Sequence, residues 1–321
     1  MLFKKINKRK KQKKKMKTLI KFYLLFFFSV FVFLFIFLLV FFFPKASQID
    51  IQNILNNLKF NNENNKTSGW LLKEFSNSTT QNFTDSFHNI TRTNDEMINI
   101  LNTIKDNYEI ILIRGYLGYL IPLYFQEIYT KLKIFKFNVK KLNFVDKNFL
   151  SSLKNKNVLI ICHSKGCNDI LDATVYHPEI KNSIQGIIMM NAPIAGSIIA
   201  SDLLSNNFHD EKMIIKENSL NQLSFEGRKK IFEENGYYDI KNLKIINYIS
   251  YQNERKKKSL LKKFIDYINN NYLKKNDGLV ILDDQILPGV PFVVDMADHT
   301  NVAFNSYIIM KLIIFWFKIF N

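Results

Sequence analysis

Apolar spacing divides the chain into stretches of different texture. Residues 22–43, "FYLLFFFSVFVFLFIFLLVFFF", are almost wholly apolar and carry no charge. As a helix they would span about 33 Å, enough to cross the hydrocarbon core of a bilayer. From Pro44 to about Thr93 polar residues dominate, and the apolar runs are as short as "IQNILNNL" and "GWLLKEF". Beyond residue 95 two periods alternate. "DEMINILNTI" has helical spacing, "YEIILI" reads as a strand, and "IPLYFQEIYTKL" is helical again. Val158-Leu159-Ile160-Ile161 predicts a buried strand running into a turn and a helix. "IQGIIMM", "LKIINYISY" and "PFVVD" predict three more strands, with a polar helical stretch over 201–240 between the first two. Strands alternating with helices predict an α/β class, a mostly parallel sheet with helices on both faces. The roughly 220 residues available suit one domain of that kind.

Charge sharpens the picture at the N-terminus. The 321 residues carry a formal charge of +17, and eleven Lys/Arg with no acid lie in the first 21 residues. A cleaved signal peptide would have an apolar region of about 7–15 residues ending in a small-x-small site. The longer run here, followed by "FFFPKAS", predicts an uncleaved transmembrane signal anchor instead. Its basic flank belongs on the cytoplasmic side, against anionic lipid, and residues from 44 onward on the far side. With the basic charge assigned to the membrane surface, no nucleic-acid partner is expected. The expected organisation is a basic cytoplasmic tail (1–21), a transmembrane helix (22–43), a polar stalk and lead-in (44–94), and an α/β domain (95–321) with a cap at about 196–240. Asn-x-Ser/Thr triplets at Asn65, Asn77, Asn82 and Asn89 follow from the abundance of Asn. The two cysteines, Cys162 and Cys167, are too few for a disulfide framework and lack zinc-type spacing, so both are expected to be small packing residues. No metal, cofactor or obligate protein partner is expected.

The candidate chemistry centres on "NVLIICHSKGCNDIL", residues 157–171. A strand, a Ser-x-Gly turn and a helix form a nucleophile elbow, which lifts Ser164 above the strand ends beside the N–H groups of a helix start. Gly166 fills one small position of the usual Gly-x-Ser-x-Gly, and Cys162 stands in the other. A serine nucleophile needs a base, most often His. His163 adjoins the serine with its side chain expected to point elsewhere, while His88, His177 and His209 are expected to be structural or solvated. His299, just past the last predicted strand in "DMADHTNVAF", is the candidate base. Asp277 in "KKNDGLVIL" is the candidate carboxylate that fixes the imidazole, with Asp283 and Asp284 in reserve and Asp298 too close to His299 to reach its ring. The order Ser164, Asp277, His299 is that of α/β-hydrolases. Oxyanion donors are expected from the backbone N–H of Lys165, after the nucleophile, and of Tyr116, in the loop "RGYLG".

From about residue 95 the chain resembles the lipase-like α/β-hydrolases. "RGYLG" is similar to their His-Gly-x-x-Gly oxyanion loop except at Arg114, and "CHSKG" to their Gly-His-Ser-x-Gly elbow except at Cys162. "NAPIAGS" resembles their Ala-Pro-x-x-Gly-Ser stretch, Asn-Asp-Gly-Leu-Val stands unchanged at 276–280, and an Asp-His pair stands at 298–299. The resemblance implies an α/β-hydrolase fold and cofactor-free hydrolysis of carboxylic esters, commonly lipid esters. With an alcohol in place of water the same residues would make an acyltransferase, and without turnover the fold would serve as a tethered binding module. Leu261, Phe264, Ile265 and Ile268 recur at helical spacing beside six Lys/Arg from Arg255 to Lys263. Such a helix either lies on anionic lipid, covering the site together with 196–240, or packs its apolar side on its own domain.

Overall fold

The computed structural model describes residues 62–321 apart from 77, 79, 91–93, 117, 119–122, 206–216, 236–239, 241 and 253–260. The basic tail, the expected transmembrane helix and the first part of the expected stalk lie outside the described residues. Among the described residues no helix is long and apolar enough to cross a membrane.

Six segments form the strands β1 (Glu109–Ile113), β2 (Val139–Leu142), β3 (Val158–His163), β4 (Ile184–Met190), β5 (Ile245–Ser250) and β6 (Phe292–Asp295), all but the edge strand β2 rich in β-branched residues. They pair in the order β2-β1-β3-β4-β5-β6, every pair parallel. Strands β1, β3 and β5 are buried along their whole length, as the near-continuous Ile/Leu/Val runs of a sheet covered on both faces require. One face, carrying Ile110, Leu112, Leu159, Ile161, Ile188 and Tyr248, packs on Ile104 of helix Asn94–Asn107, Ile128 and Leu132 of helix Gln126–Ile134, and the apolar side of the C-terminal helix Ser306–Phe320. The elbow helix Lys165–Tyr176 covers the opposite face. A methyl group on Gly166 would meet Ile113 Cγ2 at 3.0 Å, so that helix runs directly over β1.

Chain order reverses between β1 and β3. β2 returns to one side of β1, and everything after it adds on the other. At such a switch point the loops leaving the carboxyl ends of two neighbouring strands diverge and leave a crevice. Here those loops are the Gly115 turn and the Ser164 elbow.

Two expectations are corrected, and one open alternative is decided. Residues 62–90 are not a stalk but part of the fold, in helices Asn62–Thr67, Trp70–Glu74 and Thr84–His88. Trp70, Leu71 and Phe87 are buried, Trp70 Nε1 donates to Ala195 O at 2.8 Å, and Ser68 Oγ and Gly69 N donate to the buried Asp284 carboxylate. Helix Lys262–Tyr272 turns Phe264, Ile265 and Ile268 into its own domain, with Leu261 buried just before it, so its apolar side is not available to lipid. Lys256, Lys257 and Lys258 lie outside the described residues. The cysteines are not independent packing residues: Cys162 and Cys167 are joined in a disulfide. The last buried residues of β3 and the first turn of the elbow helix face one another across the turn, which brings the two Cα atoms to 5.0 Å, well within disulfide range.

Within the expected cap, helices Ile198–Ser205, Glu217–Leu223 and Phe225–Asn235 are described. Arg228, fully buried on the last of these, forms a bidentate pair with Asp172 of the elbow helix at 2.8 and 3.1 Å and donates from Nε to Ile194 O.

Candidate active site

Ser164 sits between β3 and the elbow helix at φ 54° and ψ −134°, a backbone region that side-chain-bearing residues rarely occupy. Four constraints hold it there. Its N–H donates to Met190 O at the end of β4, its carbonyl accepts from Cys167 N, the disulfide ties strand to helix, and the missing side chain of Gly166 allows the helix to press on the loop after β1. A methyl at Gly166 would sit 2.3 Å from Arg114 O, which explains the small residue two positions after the serine.

His299 lies in the loop after β6, with its ring against the elbow. Its Nε2 is 2.8 Å from Ser164 Oγ, and its Nδ1 is 2.7 Å from Asp277 Oδ2. A carboxylate can only accept, so Nδ1 carries the proton and Nε2 is left to accept from the serine hydroxyl. Asp277 is fully buried in the turn after helix Lys262–Tyr272. Its Oδ1 accepts from Leu279 N and Val280 N, and its own carbonyl accepts from His299 N at 2.8 Å. The charge is thus solvated by backbone amides before it meets the imidazole. Ser197 Oγ, in "NAPIAGS", donates to Leu279 O at 2.6 Å and braces the same turn.

The remaining candidates fall elsewhere. Asp284 is taken up by Ser68 and Gly69, Asp283 is exposed, and Asp298 Oδ1 accepts from Thr300 N and Asn301 N. His88 Nε2 faces Val294 O, and His177 lies 3.4 Å from Glu179 at the surface. His209 is outside the described residues. Among the described residues no group of His, Cys, Asp and Glu could hold a metal ion.

For the oxyanion donors, Lys165 opens the elbow helix, so its N–H belongs to the first turn, where no intrahelical acceptor exists. Tyr116 follows Gly115 in a turn closed by Gly118 N donating to Gly115 O at 3.0 Å. A methyl at Gly115 would come within 2.8 Å of Ser164 Cβ, so this turn is pressed against Ser164. Arg114, standing where the resemblance has His, donates from Nη1 to Gly118 O and ties the turn together.

Sequence reasoning missed the buried shell behind these groups. His163 Nδ1 meets the hydroxyl of Tyr124, His163 Nε2 lies 2.6 Å from His299 O, and Asn191 Nδ2 reaches the same carbonyl at 3.3 Å. Burial raises the Tyr124 phenol far above its ordinary value, so it stays protonated. Burial and the neighbouring His299 hold His163 well below the usual imidazole range, so it stays neutral. The sequence signal is His163 itself, an imidazole beside Ser164.

No known family model matches the chain, and no curated protein matches it. Solved structures do match. A metagenomic carboxyl esterase is 20% identical at a TM-score of 0.51, over 64% of this chain and 73% of its own. The mature form of a Bacillus licheniformis lipase is 17% identical at a TM-score of 0.52, over 64% of this chain and 92% of its own. At these identities the likeness speaks for architecture alone: the chain has the α/β-hydrolase fold.

Proposed function

We propose that this protein is a serine carboxylic-ester hydrolase working through an acyl-enzyme. The observation that carries the reading is the unbroken hydrogen-bond line from Ser164 Oγ through the His299 ring to Asp277, mounted on a strained elbow. In the reaction Ser164 Oγ attacks the acyl carbon while its proton passes to His299 Nε2. The N–H groups of Tyr116 and Lys165 hold the developing oxyanion. Asp277 stabilises the imidazolium, which then protonates the leaving alcohol, and water repeats the sequence to release the acid.

Apolar acyl groups, as in lipid esters, are the proposed substrates. Leu123 is 69% exposed, and Phe304 is 37% exposed beside the Tyr124 ring, so apolar surface flanks the elbow. The proposed setting is a single-pass membrane protein with the hydrolase outside the cytoplasm, anchored through residues 22–43. The Cys162–Cys167 disulfide supports that side of the membrane, because disulfides persist where the surroundings are oxidising.

A fluorophosphonate probe tests the chemistry. The full chain should be labelled at Ser164 and should hydrolyse p-nitrophenyl esters, and Ser164→Ala should lose labelling and about a millionfold in kcat. Turnover that survives in Ser164→Ala would overturn the assignment.

A further inference from the structure

Behind the nucleophile, a single line of buried hydrogen bonds joins the two loops that must flank it. Gly115 N donates to Tyr124 Oη at 3.3 Å, the Tyr124 hydroxyl meets His163 Nδ1, and His163 Nε2 lies 2.6 Å from the backbone carbonyl of His299. The direction of every proton in this line follows from chemistry. A carbonyl can only accept, so Nε2 of His163 carries the hydrogen. His163 is buried and neutral, so Nδ1 then accepts, Tyr124 donates to it, and the Tyr124 oxygen is left to accept from Gly115. The histidine is held in one tautomer by partners on both sides. Both side chains are nearly fully buried, and His163 stays neutral, so it does not set a second positive charge against the imidazolium that forms on His299 at a ring distance of 4.9 Å.

We infer that His163 and Tyr124 are positioning residues that set the register between the oxyanion turn and the base loop, with His163 acting as a neutral donor to His299 O. His299 is then fixed at four atoms: its ring by Ser164 and Asp277, its N–H by Asp277 O, and its carbonyl by His163 and Asn191. Without the His163 donor, that carbonyl keeps only the longer Asn191 contact at 3.3 Å, and the ring can shift relative to Ser164 Oγ. The inference rests on the serine-hydrolase reading, but its test separates the two.

Three variants of the full chain decide it: His163→Phe, His163→Gln and Tyr124→Phe, each with kcat and KM on a short-chain p-nitrophenyl ester and with its thermal midpoint. Phe keeps the ring volume and removes the donor, whereas Gln loses the ring and can place an N–H near the position of Nε2. A donor role gives His163→Phe a tenfold to hundredfold loss in kcat at nearly constant KM, roughly the scale of a misplaced catalytic group, and His163→Gln recovers most of it. A packing role gives the opposite order, Phe better than Gln, and overturns the inference. If His163→Phe does not fold, nitrogen NMR of the wild type and Tyr124→Phe decides. The wild type should show His163 protonated at Nε2 only, and Tyr124→Phe should show mixed tautomers with reduced kcat. A wild-type His163 protonated at Nδ1 defeats the relay. If the wild type neither labels nor turns over, the hydrolase reading fails instead, and the tautomer still reports on the relay.

Discussion

At the scale of single residues, the candidate reacting groups are legible in the sequence and the side chains packed behind them are not. Ser164, Asp277 and His299 stand in loops whose order along the chain is a recognisable pattern, and the structure brings these three side chains together. His163 and Tyr124 work through backbone atoms of distant segments, and such partners leave no trace in residue spacing. Cys162 and Cys167 were visible but ambiguous, since two small apolar residues at those positions suit packing as well as a bond. Only the local geometry of the turn, with the Cα atoms 5.0 Å apart, decides it. The disulfide closes a short loop, so changing both cysteines to alanine should cost about 2 kcal/mol by the chain-entropy estimate. Probe labelling of Ser164 should persist, because neither sulfur reacts. Denaturant unfolding and labelling of the same double variant check both halves, and a double variant that folds yet no longer labels would shift suspicion to a cysteine nucleophile.

At the scale of elements, structure is legible in the sequence where an apolar run is continuous and ambiguous where burial depends on the partner. Strands β1, β3, β4, β5 and β6 fall on the runs that predicted them, while the short edge strand β2, "VKKL", has too little apolar character to register. The helix Lys262–Tyr272 has one apolar side, and that pattern is the same whether lipid or protein covers it. The C-terminal helix was not predicted, yet its mate was in view: Gly186 in the middle of β4, where a glycine signals close approach. A methyl there would lie 2.2 Å from the ring of the buried Trp316, whose Nε1 donates to Lys244 O at 2.8 Å. Gly186→Ala should therefore destabilise by about 1–3 kcal/mol, as overpacking of a core does, read as a lowered unfolding midpoint with the spectrum of the fold retained. A second element-level expectation concerns Asp284, which holds helix Trp70–Glu74 to the body. Burial raises its pKa from the ordinary carboxylate range to about 7, against the lowering effect of Gly69 N and Ser68 Oγ. Because the folded state holds this proton more tightly than the unfolded one, its contribution to stability is complete below about pH 4 and is lost as pH rises towards 7. Asp284→Asn should flatten that part of the stability profile, and melting curves from pH 5 to 8 with an unchanged slope in the variant would contradict it.

For the whole molecule, the boundary that matters runs earlier than residue spacing suggested. Trp70, Leu71 and Phe87 are buried, and truncating any one of them costs about 2–5 kcal/mol. A chain starting at residue 57 should fold and give dispersed spectra, whereas one starting at 95, where the regular alternation begins, should be insoluble or unfolded. Equal stability of the two would mean that residues 62–90 contribute nothing. Asn-rich composition hides those anchors, because short apolar clusters such as "GWLLKEF" in a polar stretch carry no sustained period. The elbow carries a consequence for the lineage of the chain. Its disulfide makes two positions a single heritable unit: exchanging either cysteine alone strands a thiol beside Ser164, so the tolerated route is to exchange both. Homologues with glycine at position 162 should therefore have lost the cysteine at 167 as well, and that paired change would trace where this elbow arose.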